Sequence, residues 1–106
     1  MTSITQGSTN VYADLESPDS EQMLLKAQLA EKISQIIQRR HLTQTEAASI
    51  LGIPQSKLSL ILRGQFRGVS ELKMLECLNR LGRDVQIVVK KAPRTKPHGR
   101  ISVVFA

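Results

Sequence analysis

The segment that most constrains the fold is residues 42–64, LTQTEAASILGIPQSKLSLILRG. Thr43 and Glu46 have the spacing of a capping box, in which a hydroxyl and a carboxylate each accept a hydrogen bond from a free backbone N–H at a helix start. Gly52 stands where the chain must reverse, because glycine takes a positive φ without steric cost. Pro54 suits the start of a new helix. The segment therefore predicts two short helices, about 44–51 and 55–63, joined by a tight turn.

The second of these helices has two chemically different faces. Leu58, Ile61 and Leu62 recur at i, i+3 and i+4 and form a buried stripe, which leaves the polar residues on the other side. A small side chain at Ala48 lets the two helices cross closely. Two short helices joined in this way form the unit that places one helix in the major groove of DNA. The alternative is a plain helical hairpin within another kind of bundle.

The segment resembles the helix-turn-helix of the λ-repressor-like family, often called the Xre family, over the whole motif without a gap. The residues that carry the resemblance are Gln44, Ala48, Gly52, Gln55, Ser56 and Leu58. In that family a Gln begins the first helix of the motif and Gln-Ser begins the recognition helix. The resemblance implies a small helical DNA-binding domain.

Residue chemistry predicts how the second helix would read DNA. Gln55 can make a bidentate contact to adenine, and Ser56 can serve several bases. Both lie at the helix N-terminus, the end that contacts base edges in this docking mode. Ser59 lies one turn later on the same face, and Lys57 could reach a guanine or a phosphate. The competing interpretation is that these are solvated surface residues.

Three further residues are candidate phosphate contacts. Gln44 begins the preceding helix, where a side chain and backbone N–H groups can hold a phosphate. Arg63 and Arg67 flank the recognition helix and are candidate phosphate clamps. Surface exposure alone would also explain both arginines, because basic side chains lie mostly at protein surfaces.

Charge is distributed unevenly along the 106 residues, which leave room for one domain. The net charge is +6 and the isoelectric point is near 10.0, as expected for a partner of a polyanion. Residues 1–21 carry four acidic and no basic side chains, a net of −4, whereas residues 22–106 carry fifteen basic and five acidic side chains, a net of +10. An acidic arm joined to a basic body suggests two partners of opposite charge.

The remaining pattern predicts a mainly α fold: a λ-repressor-like helix-turn-helix bundle of about four helices with a short C-terminal β-strand pair. Ser17 and Pro18 begin a long helix that runs to about Arg40. Ser70 caps a fourth helix, in which Leu72, Leu75, Leu78 and Leu81 recur every three residues. Alternation over 85–89 and 101–105 predicts two strands. We expect a flexible acidic arm at 1–16, a DNA-binding domain at 17–83 and a strand pair with a basic loop at 84–106.

The segment between the predicted strands has two interpretations. Its basic residues could follow a DNA backbone or enter a minor groove. They could equally be charges that protect an exposed strand edge from aggregation, which we favour slightly. The residues are Lys90, Lys91, Arg94, Lys96, His98 and Arg100.

The sequence gives no support for catalysis, a metal or a cofactor. His41 and His98 lie in different segments without an evident carboxylate or cysteine partner, and the single Cys77 reads as a small buried hydrophobe. No glycine-rich phosphate loop follows a strand. No secretory signal or run of about 20 apolar residues is present, which predicts a cytoplasmic protein.

Residues 11–90 as a whole resemble the Xre-family antitoxins of bacterial toxin–antitoxin pairs, close to the HigA type. The resemblance is carried by the arm, the helix-turn-helix and two later segments, GQFRGVS at 64–70 and LGRDVQIVV at 81–89. It implies a homodimer that binds its own operator in double-stranded DNA and that neutralises a RelE-like toxin. The acidity of residues 11–21 fits a contact with such a toxin, and the alternative is a solvated N-terminal tail. A stand-alone Xre-family regulator without a toxin is the alternative, and an RNA-binding adaptor is a weaker one. A two-fold dimer is expected because symmetric half-sites require a symmetric protein.

Overall fold

Four helices account for the architecture of this computed structural model, which describes residues 18–95 and 98–106. They are α1 (Pro18–Arg39), α2 (Gln44–Leu51), α3 (Gln55–Leu62) and α4 (Glu71–Arg80). The mainly helical prediction is therefore confirmed, and the two short helices fall within one residue of their predicted bounds. The predicted Ser17 cap and the arm 1–16 lie outside the described residues.

The core is mostly aliphatic, includes the aromatic Phe66 and receives side chains from all four helices. Helix α1 contributes an apolar stripe made of Leu29, Ile33, Ile36 and Ile37 and packs chiefly against α4, while α2 packs against α3. Full burial of one such aliphatic side chain stabilises the fold by about 1.5–3 kcal/mol. The most deeply buried side chains are Leu29, Ile33, Ile36, Leu51, Leu58, Ile61, Met74 and Cys77.

The caps predicted at Thr43 and Ser70 are both present. The Thr43 hydroxyl accepts a hydrogen bond from the Glu46 N–H at 3.0 Å, and the Glu46 carboxylate accepts one from the Thr43 N–H at 2.8 Å. The Thr43 hydrogen bonds hold the pKa of the Glu46 carboxyl below its ordinary value. This reciprocal cap therefore stabilises the start of α2 above the ordinary carboxyl pKa, and its contribution falls as the pH drops through the lowered value. Ser70 caps α4 through the Lys73 N–H.

The turn between α2 and α3 depends on a left-handed residue. Gly52 has φ +70° and donates its N–H to the Ala48 carbonyl at 2.9 Å, and the Ile53 N–H meets the same oxygen at 3.2 Å. The Arg80 guanidinium of α4 lies over this turn and donates to the Ile50 carbonyl at 3.5 Å. A side-chain carbon at position 52 would lie 3.1 Å from that guanidinium. The turn thus fixes the direction in which α3 leaves α2.

The stripe predicted for α4 is partly wrong. Leu72 is 66% exposed, and the buried side chains are Met74, Cys77, Leu78 and Leu81. These four follow the i, i+3, i+4, i+7 spacing of a helix, whereas a strict three-residue repeat drifts around the helix surface. The prediction that Cys77 is buried is confirmed, and burial raises the pKa of its thiol.

The predicted C-terminal β-strand pair is not formed: residues 82–95 and 98–106 contain no strand. The chain does turn back on itself, since a side-chain carbon at Gly99 would lie 4.0 Å from the Ala92 Cβ. Val103 packs against the helical core, and the Lys32 ammonium lies 5.3 Å from the centre of the Phe105 ring. Contacts with the helices thus replace the expected ladder. Among the described residues, no helix is long and apolar enough to cross a membrane.

The turn geometry generates a stability prediction. Gly52→Ala should lower the free energy of unfolding by about 1–2 kcal/mol, because an L-residue is strained in the left-handed region. Gly68→Ala is the matched control, since that glycine has no positive φ and no atom within 4 Å of an added carbon. Chemical denaturation measures both variants. Equal effects of the two substitutions would contradict the assigned role of Gly52.

Candidate nucleic-acid interface

The first polar residues of α3 are exposed, whereas Leu58 and Ile61 on its apolar side are buried. Leu62, which the sequence predicts to share their buried stripe, is only half-buried. Leu58 is 0% and Ile61 is 1% exposed, so these two side chains anchor the helix to the core. Gln55 and Ser56 are both exposed at the first two positions of the helix. The N-terminal end of α3, where the sequence predicts base contacts, is therefore free to approach another molecule.

The other residues at this helix that the sequence predicts to contact DNA differ in their exposure to solvent. Lys57 and Ser59 are half-buried, whereas Arg63 is exposed just beyond the last helical residue. The Arg63 Nε donates to the Ser59 carbonyl at 3.3 Å, which holds the guanidinium stem along the final turn of α3. The remaining guanidinium N–H groups of Arg63 can still serve an anion.

A hydrogen bond links the beginnings of α2 and α3. The Thr45 hydroxyl donates to Gln55 Oε1 at 3.3 Å, and both side chains are exposed. The bond restricts the rotamers of Gln55, while the second lone pair of Oε1 and the two Nε2 protons stay available for an adenine edge. Sequence reasoning missed Thr45, because a contact between residues ten positions apart depends on how the helices cross.

Gln44 is the first residue of α2 and is exposed. Its backbone N–H belongs to the first helical turn, where N–H groups have no partner within the helix and the helix dipole favours anions. The Thr45–Gln55 hydrogen bond places this end of α2 next to the N-terminal end of α3. The structure therefore brings Gln44, Gln55 and Ser56 into one continuous exposed area.

The loop from α3 to α4 presents Arg67 between two buried anchors. Phe66 is 7% and Val69 is 5% exposed, while Arg67 is exposed. The Lys26 Nζ of α1, in a residue only 5% exposed, donates to the Arg67 carbonyl at 2.8 Å. Lys26 stands on the apolar stripe of α1, three residues before Leu29, and this position is the signal that could have found it.

A nearby carboxylate favours the buried position of the Lys26 ammonium. Glu71, at the start of α4, has a pKa lowered first by its own backbone N–H, then by a hydrogen bond from Gln22, and to a smaller degree by the charge of Lys26. The carboxylate thus stays ionised near the buried ammonium. Removal of Lys26 would take this hydrogen bond away from the Arg67 carbonyl, while Phe66 and Val69 would still anchor the loop in the core.

The chain reaches the N-terminal ends of α1 and α4 directly after the basic C-terminal loop. Ile101 lines a cavity there of about 270 Å³ together with Glu21, Gln22, Leu25 and Glu71. The described cations of the loop are exposed, namely Lys90, Lys91, Arg94 and Arg100, as is His98, whereas Lys96 lies outside the described residues. Within residues 18–95 and 98–106, no group of three or more His, Cys, Asp or Glu side chains could hold a metal ion.

Comparisons with known proteins agree with this geometry. Residues 11–90 match the family model described as "Helix-turn-helix domain". A solved structure described as "Putative XRE Family Transcriptional Regulator" matches with 40% sequence identity and a TM-score of 0.78, over 84% of this chain and 100% of that one. No curated protein matches the chain.

The family model spans most of the chain, and the similarity to the solved structure extends over the whole length of that relative. A buried stripe under α3, a left-handed glycine turn and an exposed Gln-Ser helix start are the features that a groove-reading helix requires. The chain belongs to the XRE family of helix-turn-helix DNA-binding regulators.

Proposed function

We propose that this protein is a sequence-specific transcriptional regulator that inserts the N-terminal end of α3 into the major groove of its operator. The observation that carries the proposal is the exposure of Gln55 and Ser56 above a fully buried Leu58. Gln55 reads an adenine edge, Ser56 and Ser59 contact neighbouring bases, and Lys57 reaches a guanine or a phosphate.

Phosphate contacts from three elements hold the helix in this register. Gln44 acts from the start of α2, Arg63 from the end of α3 and Arg67 from the following loop. Such contacts orient a protein on the duplex but carry no sequence information directly. Lys26 supports this set by fixing the backbone of Arg67 from within the core.

Two substitutions separate base reading from phosphate binding. Gln55→Ala should cost about 1–3 kcal/mol on the operator and relax the base preference at one position. Arg63→Ala should weaken binding to every duplex alike and reduce the salt slope by about one. Titrations of operator and random DNA at several salt concentrations measure both effects. If both variants bound the two DNAs with equally reduced affinity, the assigned roles would be wrong.

The second part of the proposal is a homodimer joined through the C-terminal segment. Ile87, Val88 and Val89 are 78%, 72% and 92% exposed, and Ile101 and Val104 are 80% and 89% exposed. Contiguous exposed apolar side chains mark interaction surfaces in folded proteins. A second copy of the same segment would cover them and give the two-fold symmetry that paired half-sites require.

Charged substitutions on this segment test the dimer. Ile87→Lys combined with Val89→Lys should shift the protein from dimer to monomer at micromolar concentration, because a buried unpaired charge is costly in an interface. Gln86→Lys is the matched control, since Gln86 is an exposed polar neighbour on the same segment. Sedimentation analysis reads the mass directly. A monomeric unsubstituted protein would refute the proposal.

The third part is that the regulator is the antitoxin and autorepressor of a HigA-type pair. The family match covers 11–90, the same span that resembles those antitoxins, and residues 1–21 carry −4 against +10 on the rest of the chain. The acidic segment 11–21 complements a small basic RelE-like toxin, while the basic body meets DNA. Charge complementarity of this kind speeds association and excludes wrong partners.

The neighbouring reading frame supplies the partner for a direct test. A small basic protein encoded there should bind this chain, and Asp14→Asn with Glu16→Gln should weaken that complex by about two- to tenfold while DNA affinity stays unchanged. Calorimetric titration of the two purified proteins measures the effect. Absence of binding would favour a stand-alone regulator. Unchanged affinity of the variant would mean that the acidic arm does not contribute to the complex.

A further inference from the structure

The C-terminal end of α1 and the turn after it carry a basic patch made of Arg39, Arg40 and His41, all three of which are exposed. Among the described residues, no carboxylate forms an ion pair with any of them. The two guanidinium groups and the imidazole are therefore available to an external anion.

The backbone of this turn makes His41 an unexpected residue. The His41 N–H bonds to the Gln38 carbonyl at 3.0 Å, and the Leu42 N–H bonds to the Ile37 carbonyl at 3.1 Å. This pair of bonds is the Schellman motif, whose left-handed position is usually occupied by glycine. His41 has φ +56°, and among the described residues it is the one non-glycine residue with a positive φ. Helix termination alone would be served better by glycine.

The basic patch is continuous with the candidate DNA interface. His41 and Gln44 are three positions apart in the chain, so their Cα atoms lie within about 11 Å of each other. Gln44 in turn adjoins Gln55 through the Thr45 contact.

We propose that Arg39, Arg40 and His41 form an additional phosphate-binding surface that extends the interface along one DNA strand beyond α2. The inference rests on the proposed DNA binding. It adds cations that act without base recognition and so raises affinity for every duplex. A competing role for the arginines is stabilisation of the negative end of the α1 dipole, which would affect folding and leave DNA binding unchanged.

A salt series on a random-sequence duplex tests the two arginines. Arg39→Ala and Arg40→Ala should each lower the magnitude of the slope of log K against log salt by about 0.9 for each phosphate that the variant no longer neutralises, measured between about 50 and 200 mM salt. Lys73→Ala is the matched control, because its ammonium is already paired with Glu76, and its slope should equal that of the unsubstituted protein.

His41→Gly separates DNA binding from the stability of the fold. The variant should unfold at the same or a higher temperature, because glycine adopts this φ without strain, and yet it should bind the duplex about five- to tenfold more weakly. Undiminished affinity in His41→Gly, or unchanged slopes in both arginine variants, overturns the proposal. If only Arg63→Ala reduced the slope, the proposed function would stand, but the surface made of Arg39, Arg40 and His41 would not. If the unsubstituted protein bound no DNA, both the proposed function and this surface would be refuted.

Discussion

The arrangement of the whole candidate interface depends on the burial of Leu58 and Ile61 beneath α3. These side chains are almost completely excluded from solvent, so the helix cannot rotate about its axis without exposing them. Rotation is opposed by about 1.5–3 kcal/mol for each of these side chains. Gln55 and Ser56 are exposed as a consequence, and the turn at Gly52 sets the direction of α3 relative to α2.

Polar contacts around this anchored helix hold the neighbouring side chain, turn and loop in fixed positions. Thr45 restrains Gln55 from the neighbouring helix, Arg80 lies over the Gly52 turn, and Lys26 holds the loop that carries Arg67. Each contact joins elements that are distant in sequence. If α3 reads DNA as proposed, a helix held in this way gives up little conformational freedom on binding, so more of its contact energy is left for affinity and base selection.

The C-terminal segment differs from the helical body in the burial of its apolar side chains. Its alternating apolar residues resemble a half-buried strand, but the described residues form no ladder and most of these side chains remain exposed. An isolated two-stranded hairpin is marginal in water unless a surface covers it. Val103 and Phe105 find partial partners on the helices, while Ile87 and Val89 find none within the described part of the chain, which is why a second copy is the proposed cover.

Local chemistry in the sequence determined the capping box at Thr43, the left-handed turn at Gly52, the buried stripe of α3 and nearly all helix bounds, because each depends on residues within four positions of one another. Tertiary structure decided the buried position of Lys26, the Thr45–Gln55 contact, the exposure of Leu72 and the absence of a strand pair. These features depend on which surfaces meet in space, and a ladder or a buried ammonium is stable only when a partner from elsewhere in the chain satisfies its hydrogen bonds.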